Sequence, residues 1–221
     1  MLVDITKDAQ QNSCEVDWDA AKPVLRETED DALPGDGDYR DAVELIHQAK
    51  RPVILAGHGI MLSGAEREVL ELANTAQIPI AMTLLGLGGV PASHPLNLGM
   101  MGMHGEAWVN QAIQEADLLI ALGMRFDDRV TGNLKSYAPH AKKIHVDIDP
   151  AEFNKNVAVD AAISGDVGEV LASWMARLAD GDHGEWLAHI SDLKGDSAGR
   201  DIQNLPDDGH LYAAHVINDL W

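Results

Sequence analysis

Four short apolar runs recur between residues 52 and 148, and helical stripes intervene between them or follow the last. The runs are "PVILAG" (52–57), "IPIAMT" (78–83), "DLLIALG" (117–123) and "KKIHVDI" (142–148). Runs of this length without alternation suit strands covered on both faces, as in a parallel sheet. Between the first two, "SGAEREVLELANTAQ" repeats Ala65, Val69, Leu72, Ala73 and Ala76 at helical spacing. "GEAWVNQAIQEA" sets Ala107, Ala112, Ile113 and Ala116 to line one face. "DVGEVLASWMARLAD" carries a stripe of Val167, Val170, Leu171, Trp174, Met175 and Leu178, with Asp166 and Glu169 as a capping pair. Strands alternating with helices predict a doubly wound α/β domain, a parallel sheet with helices on both faces, over about residues 39–180.

The chain has 221 residues, enough to bury a proper core, and 46% of them are hydrophobic. Its 36 acidic against 16 basic side chains leave a formal charge of −20, which disfavours nucleic acid and anionic membranes as partners. No apolar stretch is long enough for a membrane span, and the N-terminus lacks a signal-peptide pattern. One cysteine, Cys14, fits a reducing compartment, so a cytoplasmic location is expected. Ten histidines are scattered without metal-ligand spacing, and no metal site is expected.

The margins read differently. Residues 14–38 are rich in Asp, Glu and Pro and read as a linker, and residues 181–207 as a second linker. "MLVDIT" reads as a strand without a hairpin partner, and "HLYAAHVINDLW" as an amphipathic helix.

In an open parallel sheet, ligands gather beyond the carboxyl ends of the strands, where each unusual stretch falls. "GHGIMLSGA" follows the first strand. Gly57 and Gly59 allow close approach to the backbone, but Gly64 comes too late for G-x-G-x-x-G, and the second strand ends in Thr83, not an acid. A plain strand-to-helix turn is an equal reading. "TLLGLGGV" and "GMMGMHGE" interleave glycine with Met and Leu, either as an apolar wall for a flat ligand or as ordinary turns. In "MRFDDRVTGN", Arg125 and Arg129 offer forked donors to a phosphate, with Asp127 and Asp128 placed to hold them. Solvated ion pairs are the competing reading. Asp147 ends a strand where a ribose- or adenine-binding carboxylate would stand, and Asp149 serves equally as a cap at Pro150. "GDGD" (35–38) reads as a linker turn.

"GMMGMHG", "ADLLIALGMRFDDRVTGN" and "HVDIDPAEFNKNV" closely resemble the central domain of the acetohydroxyacid (acetolactate) synthase large subunit, a thiamine diphosphate enzyme. "LVDITKDAQ" (within 1–13) resembles the end of that family's pyrimidine-binding domain. "LYAAHVINDLW" (within 208–221) resembles the start of its diphosphate-binding domain. The resemblance implies a domain that binds FAD in an extended pose, with the flavin serving structure and doing no net redox work. It carries FAD contacts onto Gly57, His58, Gly59, Thr83 and Leu84, then Met101, Met103, His104 and Gly105. Further contacts fall on Gly123, Met124, Arg125, Asp127, Arg129 and Val130, with Asp147, Ile148, Asp166 and Val167 at the adenine end.

The family's activating glutamate and its metal-binding GDG…N motif belong to the flanking domains. "GDGD" lacks the preceding apolar strand and the asparagine. The chain is therefore expected to be a piece of a synthase without catalytic residues of its own. Thiamine diphosphate and magnesium would bind only in the full-length enzyme. The partners implied are the remaining domains, a second large subunit and a regulatory small subunit. The enzyme would condense two 2-keto acids with decarboxylation in branched-chain amino acid biosynthesis. A stand-alone FAD or nucleotide module, or a ligand-free structural domain, are the alternatives.

Overall fold

The computed structural model describes residues 4–13, 15, 36–195, 209, 210, 212 and 216. Two compact units divide the chain, Met1–Asp31 and Ala32–Trp221. In the first, residues 4–6 form no strand, contrary to the reading of "MLVDIT". They lead into a short helix, α1 (Lys7–Gln11), entered by a Gln10 side-chain bond to the Ile5 carbonyl. Most of residues 14–35 and 196–221, including the terminal helix read from the sequence, lie outside the described residues.

The second unit holds a six-stranded, wholly parallel sheet in the order β3-β2-β1-β4-β5-β6. Its strands are β1 (Pro52–Ala56), β2 (Ile80–Met82), β3 (Asn97–Met100), β4 (Leu118–Leu122), β5 (Lys142–Asp147) and β6 (Ala161–Ser164). Four are those read from the sequence, which supports the α/β fold. β3 and β6 were not anticipated. Both are edge strands of four residues, and their Asn, Gly and Ala carry no run of apolar side chains. β3 is held by its own first side chain: Asn97 Nδ2 donates to the Val90 and Pro91 carbonyls while Oδ1 accepts from Gly99 N at 2.7 Å.

Side chains of the central strands alternate between two cores. Ile54, Ala56, Ile120, Leu122, Ile144 and Val146 face α2 (Asp36–Gln48), α4 (Glu66–Ala76) and α7 (Val167–Met175). Val53, Leu55, Leu119 and Ala121 face α5 (Ala107–Glu115) and α8 (Gly184–Lys194). The apolar positions read for α4 are all buried. In α5, Val109 takes the inward place assigned to Ala107, which is exposed.

Two linker boundaries are corrected. Asp36–Asp38, read as a linker turn, open α2, whose Ala42, Val43 and Ile46 are buried. Residues 184–194, read as linker, form α8. Its Trp186 and Ile190 are buried, and Trp186 Nε1 donates to the Pro52 carbonyl at 3.1 Å. No helix among the described residues is long and apolar enough to cross a membrane.

Candidate functional site

The chain runs outward from β1 to β3, then crosses back to lay β4 beside β1. Connections from these two neighbours leave in opposite directions, which opens a crevice beyond their carboxyl ends. The β1 and β4 loops meet there as bare backbone. Gly57 N donates to the Leu122 carbonyl and Gly59 N to the Gly123 carbonyl, both at 2.9 Å. A Cβ on Gly59 would lie 2.5 Å from the Gly123 Cα, and one on Gly57 would strike Gly123 and Met124. Gly123 also has φ +57, a left-handed conformation that favours glycine. These glycines are demanded by contact between two loops, a reason beyond the close approach to the backbone read in the sequence.

Around this crossing lies one cleft of about 810 Å³, within the roughly 300–1,000 Å³ of small-molecule sites. Of the FAD contacts that the resemblance implies, all line it except Gly57 and Gly105. Gly57 makes the crossing. Gly105 turns the loop after β3, its N bonded to the Gly102 carbonyl at 3.0 Å. One wall is apolar: Leu84 (66% exposed), Leu85 and Met103 stand out from the surface over the buried Met101 and Met124. At the far end, Ile148 is 75% exposed beside Asp147, Asp166 and Val167. Leu62, Ser63, Leu85, Met100 and Gly165 also line the cleft and were not singled out. All sit within four residues of one that was, so adjacency was their available signal.

The charge arrangement decides what the cleft can hold. Helix N-termini that ring it already have acceptors. Asp127 Oδ1 caps α6 (Asp128–Thr131), taking Arg129 N at 3.0 Å and Val130 N at 3.3 Å. Asp166 Oδ1 caps α7 through Gly168 N and Glu169 N, as the capping pair predicts for its aspartate. Thr83 Oγ1 caps the turn that carries Leu84. The first amides of α3 (Gly59–Leu62) bond to carbonyls of Gly123, Gly57 and His58. An anion in the cleft therefore meets side-chain cations beside helix ends that each already carry an acceptor.

Arg125 and Arg129 are those cations, with side chains 66% and 70% exposed. Arg125 Nη2 lies 3.7 Å from Asp127 Oδ2, and Arg129 Nε lies 3.8 Å from Asp128 Oδ2. Pairs this long and this solvated hold their guanidinium groups loosely. The aspartates thus set the arginines less firmly than the sequence suggested, and Asp127 spends one oxygen on the cap. The Arg129 backbone is better fixed, because its carbonyl accepts from Met103 N at 2.8 Å. That bond ties the Met103–His104 loop to α6. Asp149 is a cap, accepting from Ala151 N, while Asp147, which lines the cleft, accepts from Asp149 N through Oδ1. No group of three or more potential metal-ligating side chains occurs among the described residues.

Residues 39–173 match the family described as "Thiamine pyrophosphate enzyme, central domain". The chain belongs to this family. A probable acetolactate synthase large subunit of Methanocaldococcus jannaschii is 50% identical over 158 residues, 70% of this chain and 27% of the relative. The acetolactate synthase isozyme 1 large subunit of Escherichia coli is 43% identical over 192 residues, covering 87% of this chain and 33% of that one. An acetolactate synthase of Mycobacterium bovis is 42% identical over 200 residues, with 88% and 32% covered. The chain thus spans about a third of the length of these relatives.

Proposed function

We propose that the cleft binds FAD, and that the chain is the central part of an acetolactate synthase large subunit. The observation that carries the FAD reading is the charge arrangement. Two exposed guanidinium groups stand midway along the cleft while the surrounding helix ends are already capped, so a diphosphate would be gripped by Arg125 and Arg129. The apolar wall of Leu84, Met101 and Met103 suits a flat ring, and Asp147 with Ile148 suits a nucleoside. Bound there, FAD would serve as a structural element between domains.

On this reading the central domain runs from α2 through α8, residues 36–194, with 1–13 and 208–221 the margins of the pyrimidine- and diphosphate-binding domains. The whole enzyme would join two 2-keto acids with loss of carbon dioxide on the route to branched-chain amino acids. It would use thiamine diphosphate and magnesium held by those other domains, a second large subunit and a regulatory small subunit. Its single cysteine suits the cytoplasm. This chain alone would make no acetolactate.

Titration of the purified chain with FAD, followed by flavin fluorescence, tests the reading. Saturable binding that ADP competes away and dialysis reverses is expected, because an extended ligand shared with other domains loses contacts here. Absence of saturable binding by both FAD and ADP would overturn it.

A further inference from the structure

β5 is buried between two cores, yet its centre is a histidine. His145 has no exposed surface; its neighbours Ile144 and Val146 face the opposite, apolar core, and Lys143 and Asp147 share its face of the strand. Its ring stands edge-on between two others, with centroids 5.1 Å from Phe126 and 5.2 Å from Phe153. Nε2 lies 2.8 Å from the Met124 carbonyl. A carbonyl can only accept, so the proton is on Nε2, and Nδ1 is left without a partner. A buried polar side chain with one nitrogen unsatisfied costs stability that an apolar side chain would not. The Met124 carbonyl therefore needs that donor at that place.

Met124 begins the turn that leaves β4 after the left-handed Gly123 and continues to Arg125. The same Nε2 lies 3.8 Å from Oδ2 of Asp147, the cleft-lining residue that ends β5. Asn156 Nδ2 donates to the Phe126 carbonyl at 2.9 Å and closes the turn from the β5 side. One imidazole thus touches the turn that presents the arginine and lies beside the carboxylate that ends β5. Burial holds its pKa below the ordinary 6.5 against the raising effects of the Met124 bond, Asp147 and Glu152, so the ring is neutral near pH 7.

We propose that His145 is a positioning residue of the cleft: its Nε2–H fixes the Met124 carbonyl, and with it the turn that presents Arg125 in line with Asp147. It does not touch the ligand itself. The inference rests on the FAD reading only for the choice of ligand probe.

Three variants of this chain test it. His145→Phe keeps an aromatic ring between Phe126 and Phe153 but removes the donor. His145→Met removes the donor with a flexible side chain, should the phenylalanine not be accommodated. His145→Gln keeps an N–H within reach. Hydrogen exchange of the ligand-free protein, read on peptides covering residues 123–127, is expected to quicken roughly tenfold in a donor-free variant, and glutamine is expected to restore most of the protection. FAD affinity is expected to fall by roughly tenfold in the same variants and to recover with glutamine.

Wild-type exchange over residues 123–127 in a folded donor-free variant would overturn the proposal. So would exchange that rises equally across β4 and β5 with no rescue by glutamine, which would make His145 a packing residue only. If the wild type binds no FAD, the ligand reading fails, while exchange in the ligand-free protein still decides the role of His145.

Discussion

Arg125 and Arg129 separate two accounts of the charged turn after β4. If they grip a diphosphate, Arg125→Ala or Arg129→Ala removes a charge-assisted contact, with a loss of about 1.5–3 kcal/mol, or roughly ten- to hundredfold in FAD affinity. If they serve the fold, stability falls instead. Their ion pairs of 3.7 and 3.8 Å are solvent-exposed, so the melting temperature of the ligand-free chain should barely move. Lysine at either position should rescue only in part, since an ammonium cannot reproduce the fork. FAD titrations beside melting curves read both quantities. Unchanged affinity with lowered stability would remove the clamp. Much of the site was legible at this scale because glycines, arginines and aspartates interrupt apolar strands at their carboxyl ends. His145 was not, because a single polar residue inside a strand gives no sign of what it bonds. The crossing contact of Gly57 and Gly59 was not legible for a similar reason: local sequence cannot show that another loop crosses at that point.

Elements were legible in proportion to their burial. β1, β4, α4 and α7 carry dense apolar patterns because each faces a core. β3 and β6 sit at the sheet edges, where side chains of one or both faces meet solvent and the pattern fades. α8 was hidden because only Trp186 and Ile190 are fully buried, with Leu187 and Leu193 half-buried against the cores, in a segment that otherwise looks like linker. Its dependence on few contacts makes it vulnerable. Trp186→Ala should destabilise the fold by about 3–5 kcal/mol, since it opens a cavity and leaves the Pro52 carbonyl without its donor. Urea unfolding would read this as a lower midpoint, and a shift under about 1 kcal/mol would make α8 dispensable. Two histidines give these elements an acid sensitivity. His145 in β5 and His183 at the start of α8 both have pKa values lowered chiefly by burial. Both are neutral in the folded and unfolded chain well above 6.5. As pH falls below that value the unfolded chain takes up protons first, so stability present above pH 6.5 is lost on the acid side, until the folded pKa is passed. Melting temperature should therefore drop between about pH 7.5 and about pH 5.5, and the drop should shrink in His145→Gln.

For the molecule as a whole, charge is the dominant unbalanced quantity. Even if all 16 lysines and arginines were paired, 20 of the 36 acidic side chains would remain without a cation (36 − 16 = 20). Ion pairs such as Arg67–Glu68, Arg125–Asp127 and Arg129–Asp128 hold their cations in solvent. Such pairs contribute about 0–1 kcal/mol each, so screening them removes little. Repulsion among the surplus carboxylates acts over longer distances and opposes the compact state. The screening length shortens from about 10 Å at 0.1 M salt to about 3 Å at 1 M, which suppresses that repulsion while leaving contacts inside the two cores untouched. Stability should accordingly rise with salt, the opposite of a protein held by surface ion pairs. Melting curves in potassium chloride from about 0.05 to about 1 M check this, chloride being preferred to sulfate because sulfate strengthens apolar burial by itself. A melting temperature that climbs most steeply at the low end, where screening changes most, is the expected result. One that stays flat or falls would mean that the acidic surface is already neutralised by its own fold.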